Sequence, residues 1–236
     1  MKKKLVVLSG AGVSAESGIS TFRDSNGLWD NYNVDDVANI RGWRRDPGLV
    51  LEFYNIRRAE LAGVKPNSAH YAIADLEKDY DVTVVTQNID NLHERAGSTR
   101  IIHLHGELTK VRPENCYTDK DGFSEESVFD IGYDKIELGD RGPNGAQLRP
   151  HIVWFEEPVP KIEKAIEAVS KADIMLIIGT SLQVYPAAGL YRFAKMETPV
   201  WIIDPKDVAV RDHRIRHIKE VATKGMEIFK EELSKE

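Results

Sequence analysis

The sequence predicts an α/β fold: a doubly wound, Rossmann-like parallel sheet carrying a small module built from two insertions. Three observations predict it. Short apolar runs at Leu5–Leu8, Val82–Val85, Ile101–Leu104, Ile174–Ile178 and Val200–Ile203 are rich in β-branched residues and do not alternate, as expected of strands covered on both faces. Helical patterns lie between these runs, and alternating strands and helices build a parallel sheet. A glycine-rich loop follows the first run directly.

Taken in order, the first run leads into LSGAGVSAESGISTFRDSNGLWD, residues 8–30. Gly10-Ala11-Gly12-Val13-Ser14-Ala15 fits G-x-G-x-x-G/A: a tight turn at Gly10, close backbone approach to a pyrophosphate at Gly12, and a helix N-terminus facing the negative charge. Residues 31–64 hold no clear strand and predict helices and loops. Ser68–Lys78 predicts a helix with an N-cap serine and apolar spacing at Ala69, Ala72, Ile73 and Leu76. Lys161–Lys171 and Ala187–Ala194 read as further helices. Residues 111–147 are rich in Asp, Glu, Gly and Pro and have no long apolar segment. The expected division is a large domain from residues 1–30, 65–110 and 148–236, with 31–64 and 111–147 forming the small module. A cleft between the two is a natural ligand site.

Composition narrows the function classes. The chain has 236 residues, 42% hydrophobic and 30% charged, an ordinary globular composition. Its net charge of -6 disfavours general nucleic-acid binding. No apolar run is long enough to span a bilayer, and the apolar part of MKKKLVVLSG is too short for a signal peptide. The single cysteine, Cys116, allows no internal disulfide and no all-cysteine zinc site. The chain reads as cytoplasmic, with no nucleic-acid or membrane partner.

A dehydrogenase would show a second strand ending in Asp or Glu about 20 residues after the glycine loop. Gly27-Leu28-Trp29-Asp30 is not a strand end, so the nucleotide signal is present without the hydride-transfer layout. Asn88 and Asp90 follow the run Val82–Val85, where ligands bind beyond strand ends, and an amide beside a carboxylate suits a carboxamide; an Asx turn is the plainer reading. His105 follows the run Ile101–Leu104, and a histidine is the usual general base. His103, two residues earlier, raises a metal pair, which the lack of a nearby Cys or third His disfavours.

Gly10–Arg23, GAGVSAESGISTFR, resembles the NAD-binding signature of the sirtuins, the NAD-dependent protein lysine deacylases. The resemblance continues through Gly27-Leu28-Trp29, Thr86-Gln87-Asn88-Ile89-Asp90, His103-Leu104-His105-Gly106, Leu148-Arg149-Pro150, Val153-Trp154-Phe155 and Gly179-Thr180-Ser181. It implies NAD bound by Gly10, Ala11, Gly12, Ala15, Phe22, Arg23, Trp29, Gln87, Asn88, Ile89, Asp90, Gly179, Thr180 and Ser181. Asp204 and Ala222 join them near the ribose and adenine. It implies His105 as catalytic base, a structural His103, and Val153, Trp154 and Phe155 pairing with the substrate backbone as an added strand. The implied reaction joins the acyl oxygen of an acyl-lysine to the nicotinamide ribose, releases nicotinamide, and yields lysine and 2′-O-acyl-ADP-ribose. The partners implied are acylated lysines of proteins, and the implied state is a monomer.

Tyr54 and Arg57 are three apart and share one face of a helix. A guanidinium fork and a phenol suit an acyl chain ending in a carboxylate. A surface Arg beside a partly buried Tyr is the plainer reading. Tyr-x-x-Arg, Thr21 before Phe22, and Val184-Tyr185-Pro186 resemble the class III, desuccinylase-type sirtuins, which implies succinyl or malonyl removal together with acetyl. Arg58 points about 100° away on the helix. The chain departs from the family at the zinc positions, which fall near Pro113, Cys116, Arg141 and Asn144 and leave a degenerate zinc-ribbon-like insertion with no zinc expected. Glu156 replaces the usual Gly, and Asp204 the usual Asn. The rival readings are an ADP-ribosyltransferase and a non-catalytic sensor of NAD or ADP-ribose.

Overall fold

A computed structural model of the chain describes residues 1–19, 32–116, 125–208, 210 and 212–235. Phe22, Arg23 and Trp29, with Thr21 and Gly27-Leu28, lie outside the described residues.

The apolar runs form the centre of the molecule. β1 (Lys4–Ser9), β2 (Asp81–Thr86), β3 (Ile101–His103), β7 (Ile174–Ile178), β8 (Val200–Ile203) and β9 (Ile215–Ile218) make a six-stranded sheet in the order β3-β2-β1-β7-β8-β9. Every pairing is parallel, with Val7 opposite Val84 on one side and Leu176 on the other. Leu5 and Val7 enter one core with Ile73, Trp201 and Phe229. Val6 and Leu8 enter the other with Val169, Ile177 and Leu190. Alternate residues of one strand thus feed two cores, which is why the run carries no polar face. β9 was not expected, because Ile215-Arg216-His217-Ile218 at the sheet edge is mixed rather than apolar.

The helices covering the faces are α5 (Ser68–Asp75), α6 (Leu92–Ala96), α7 (Ile162–Ser170) and α8 (Ala222–Leu233). The cap of α5 is Asn67, not Ser68: the Asn67 side chain accepts from Ala69 N at 2.9 Å, and His70 reaches back to the Asn67 amide. Residues Leu76–Lys78 continue as a 3₁₀ turn, and Ala187–Phe193 is 3₁₀ rather than α-helical.

The small module begins with α2 (Val34–Val37), α3 (Ile40–Arg45) and α4 (Pro47–Gly63). Asp46 caps α4 by accepting from Leu49 N, and Pro47 occupies its first turn. A three-stranded antiparallel sheet completes it, β5 (Phe129–Asp130), β4 (Gly106–Pro113) and β6 (Leu148–Ile152), in the order β5-β4-β6. This sheet reaches beyond residues 111–147 at both ends. Polar and basic residues break its apolar pattern, because buried arginines replace aliphatic side chains there. α1 (Gly12–Ala15) is a single turn after β1.

Candidate functional site

The chain reverses its winding between β1 and β7, so the crevice beyond their carboxyl ends is the ligand-binding position of this architecture. Gly10 and Gly12 stand there against Gly179. A Cβ on Gly10 would meet Gly179 O and Thr180 Cβ at 2.7 Å, and one on Gly12 would meet Gly179 Cα at 2.7 Å. Gly179 has φ +64, and its own Cβ would meet Val13 N at 2.3 Å. The glycines interlock two strand ends, and the Gly10 and Gly12 amides donate to Ile178 O and Gly179 O. The close approach expected at Gly12 is therefore made first to the chain itself. Ala11 and Ser181 are half-buried, Ala15 is exposed at the end of the turn, and Thr180 Oγ1 accepts from Gln87 Nε2 at 3.1 Å.

The segment after β2 carries the polar pair. Asn88 and Asp90 are 7% and 8% exposed. Asn88 Nδ2 donates to Gly10 O and Ser14 Oγ, both at 3.2 Å. Ser14 Oγ donates to Asp90 Oδ2 at 2.9 Å, and Asp90 Oδ1 accepts from Leu92 N. Burial pushes the Asp90 carboxyl up, against these hydrogen bonds and His103, which favour the anion. Ile89 is half-buried, and its carbonyl accepts from Leu108 N at 2.7 Å. Sequence reasoning assigned no role to Ser14 or to the buried histidines behind it. His70 Nε2 lies 3.4 Å from Ser14 Oγ, His93 Nε2 lies 2.9 Å from Ser9 Oγ, and the two rings stack edge-on at 5.0 Å. Their one sequence signal is a histidine interrupting an otherwise apolar helix face.

His105 is half-buried, just past β3 where the chain turns at Gly106, φ +82. Its Nδ1 lies 3.0 Å from Gln87 O. A carbonyl only accepts, so Nδ1 carries the proton and Nε2 keeps its lone pair. Burial holds the ring neutral by lowering its pKa, and the Gln87 carbonyl opposes this. His103 faces elsewhere, to Asn88 O at 3.2 Å and Glu94 Oε1 at 2.6 Å. Among the described residues Glu94, His103 and Glu107 gather ligand-type atoms within 4.8 Å. Glu94 is engaged by His103 and Glu107 by Lys110 at 2.9 Å, so the group is an ion-pair cluster, and His105 is not in it.

α4 brings Tyr54 and Arg57 to one face. The Tyr54 hydroxyl accepts from Trp154 Nε1 at 2.9 Å, keeps its own proton to donate, and is pushed up to about 12 by burial. Arg57 lies 5.8 Å from the Phe53 ring centroid, and burial lowers its pKa against the pull of Tyr54, Glu60 and Asp90. Val153 is half-buried, Trp154 buried and Phe155 exposed. Their N–H groups already donate to His105 O, Glu157 Oε2 and Ala38 O, so an added strand there is left to carbonyls such as that of Val153. Glu156 adopts φ +71, where glycine is usual, and its carboxylate takes Asn39 Nδ2 and Arg41 Nε at 3.2 and 2.7 Å.

Asp204 follows β8; its Oδ1 accepts from Lys206 N and its carbonyl faces His217 Nε2. Ala222 is buried at the start of α8, beside Thr223, whose N–H and hydroxyl donate to Glu16. Both stand on the same carboxyl edge as the glycine loop. Near the four positions where the resemblance places zinc ligands, Pro113 packs on Gly142, Arg141 donates to Gly145 O, Asn144 accepts from Ala146 N, and Cys116 alone offers sulfur. This set does not fit a tetrahedral thiolate site.

Known proteins fit this geometry. The Sir2 family matches residues 10–186. A NAD-dependent protein deacylase of Bacteroides thetaiotaomicron is 53% identical over 97% of each chain. One of Helicobacter pylori is 53% identical over 86% of this chain and 85% of its own. A solved Sir2 homolog–NAD complex superposes with a TM-score of 0.85 at 36% identity, covering 99% of this chain and 90% of its own. A mutant Sir2 homologue in complex with ADP ribose gives 0.85 at 35% identity over 100% and 95%. Glycines interlocked at the switch point, the Asn88–Asp90 pair and a neutral His105 thus stand in a chain that belongs to the Sir2 family.

Proposed function

We propose that the protein is an NAD-dependent protein lysine deacylase acting on acyl chains that end in a carboxylate, succinyl and malonyl, and on acetyl. The observation that supports it best is His105: a neutral ring with Nδ1 fixed on Gln87 O and Nε2 left basic, next to the buried Asn88–Asp90 pair. Gly10, Ala11, Gly12, Ala15, Gly179, Thr180 and Ser181 would hold the phosphates and ribose of NAD, with Asp204 and Ala222 toward the adenosine. Phe22, Arg23 and Trp29 are assigned to the cofactor by resemblance alone. Bound NAD supplies an electrophilic ribose carbon and a nicotinamide leaving group.

The protein's own groups do the rest. Gln87, Asn88, Ile89 and Asp90 orient the nicotinamide end, the Asn88 amide and Asp90 carboxylate matching a carboxamide. His105 takes a proton at Nε2, which its low basicity allows it to release again at neutral pH. Val153, Trp154 and Phe155 would receive the substrate backbone as an added strand, bonded through carbonyls such as that of Val153. Tyr54 donates its hydroxyl proton and Arg57 its guanidinium to the distal carboxylate, in surroundings dry enough to make that charge pair matter. The relatives' shared name supports the deacylase chemistry; the helix face of Tyr54 and Arg57 supports the acidic preference.

The test is nicotinamide release from NAD with peptides carrying acetyl- or succinyl-lysine. Wild type is expected to favour succinyl-lysine, and Arg57→Met to lose that preference by about tenfold or more while keeping deacetylation. Acetyl removal without succinyl removal would overturn the acyl assignment. No release with either would leave the sensor reading.

A further inference from the structure

Three consecutive carbonyls of the 87–90 segment are gripped from the end of β3, the turn after it and the start of β4. His105 Nδ1 lies 3.0 Å from Gln87 O, His103 Nδ1 lies 3.2 Å from Asn88 O, and Leu108 N lies 2.7 Å from Ile89 O. Two of the three grips are histidine rings, and the rings differ in one respect. Among the described residues, His105 meets an acceptor at Nδ1 alone. His103 meets an acceptor at both nitrogens, the Asn88 carbonyl at Nδ1 and the Glu94 carboxylate at Nε2, 2.6 Å away. A neutral imidazole carries one proton and can satisfy one of these acceptors; the other nitrogen would then set lone pair against lone pair. Only the imidazolium satisfies both.

We propose that His103 is a positioning residue that works as an imidazolium: braced by Glu94, it holds the Asn88 carbonyl and with it the nicotinamide-binding segment, and its deprotonation loosens that segment. The inference rests on the nicotinamide reading of Asn88 and Asp90. The surroundings agree. Glu94 on α6, Glu107 on β4 and Asp90 ahead of α6 are the anions facing His103; Lys110 on β4 is tied to Glu107, and His93 on α6 is a neutral neighbour. The carboxylates, Glu94 first, hold the His103 pKa above the usual histidine value despite burial. The sign follows: a group whose pKa is raised in the folded protein keeps its charge below that value and loses it as pH rises through it. Nicotinamide binding therefore has an alkaline limb set by His103.

Two measurements test this together. Nitrogen-15 imidazole spectra, titrated with pH, report the protonation of His103. Nicotinamide binding in the presence of ADP-ribose, over the same range, reports the segment it holds. In wild type both ring nitrogens of His103 are expected to be protonated at pH 6.5, and binding is expected to weaken as the ring titrates. Glu94→Gln should lower both midpoints by about one pH unit or more. His103→Gln, whose amide can still donate to Asn88 O, should keep binding at low pH and abolish the alkaline limb. A neutral His103 in wild type at pH 6.5, or a limb that stays in place in both variants, would overturn the proposal. If wild type shows the limb yet releases no nicotinamide from NAD, the deacylase reading fails and the positioning role stands. Release that persists with an unmoved limb gives the reverse.

Discussion

Single protons decide the chemistry at residue scale. His105 is kept neutral by burial, so its Nε2 remains a base below the usual histidine pKa of about 6.5. The acid limb of the deacylation rate is expected below that pH, and a limb at or above it would contradict the assignment. His105→Ala should cost about 10²–10⁴ in turnover, as removal of a general base does, and leave NAD binding measurable by calorimetry. Ser14 also acts at this scale. Its one proton goes to Asp90, which leaves its oxygen to accept from Asn88. A single hydroxyl therefore fixes both members of the pair.

At the scale of elements, α4 divides its work by face. Tyr54 and Arg57 share the face proposed to receive the acyl carboxylate. Asn55 and Arg58, equally three apart but one residue on, staple the module together: Arg58 Nε donates to Leu108 O at 2.7 Å, and Asn55 exchanges bonds with Ile136 N and O at 3.0 and 2.8 Å. Arg58 is fully buried rather than merely turned aside. A second staple crosses the small sheet. Arg149 pairs with both oxygens of Glu157 at 2.7 and 2.8 Å, lies 3.6 Å from the Trp154 ring centroid, and donates to Ile152 O; Arg112 donates to the same carbonyl. These arginines cross-link the small module, which holds the chain's single cysteine, Cys116. Glu157→Ala is expected to destabilise the protein by about 3–5 kcal/mol, because it strands the Arg149 charge in the interior. Urea unfolding checks it; a loss under about 1 kcal/mol would mean that the pair contributes little.

Over the whole molecule, buried neutral histidines set the response to acid. Burial lowers His70 to about 4 and His151 to about 3, and holds His93 well below its usual value. The unfolded chain binds protons at these sites from about pH 6.5 downward while the folded chain refuses them. Stability therefore falls as pH drops from about 6.5 toward 4, by up to about 1.4 kcal/mol per pH unit for each histidine. Unfolding free energies measured at pH 7 and pH 5 should differ in that direction; equal values would show that these rings are reached by protons in the folded state. Among the described residues no helix is long and apolar enough to cross a membrane.

The sequence by itself determined the central sheet. A strand covered on both faces has to be apolar throughout, so Leu5–Leu8 and Ile174–Ile178 are legible without coordinates, and the glycines at 10, 12 and 179 mark where two strand ends meet. It also placed His105, Asn88 and Asp90 through motifs whose spacing is local. It left out β9 and the small sheet, where arginines and a mixed edge stand in place of an apolar pattern. Only the tertiary structure decided what pairs across distance: Ser14 with Asp90, His103 with Glu94 and the Asn88 carbonyl, Arg58 with Leu108, Arg149 with Glu157. Each is a polar group whose burial and partner depend on residues far along the chain. A linear reading shows which groups can bond, and the packed fold alone sets which do, and in which protonation state.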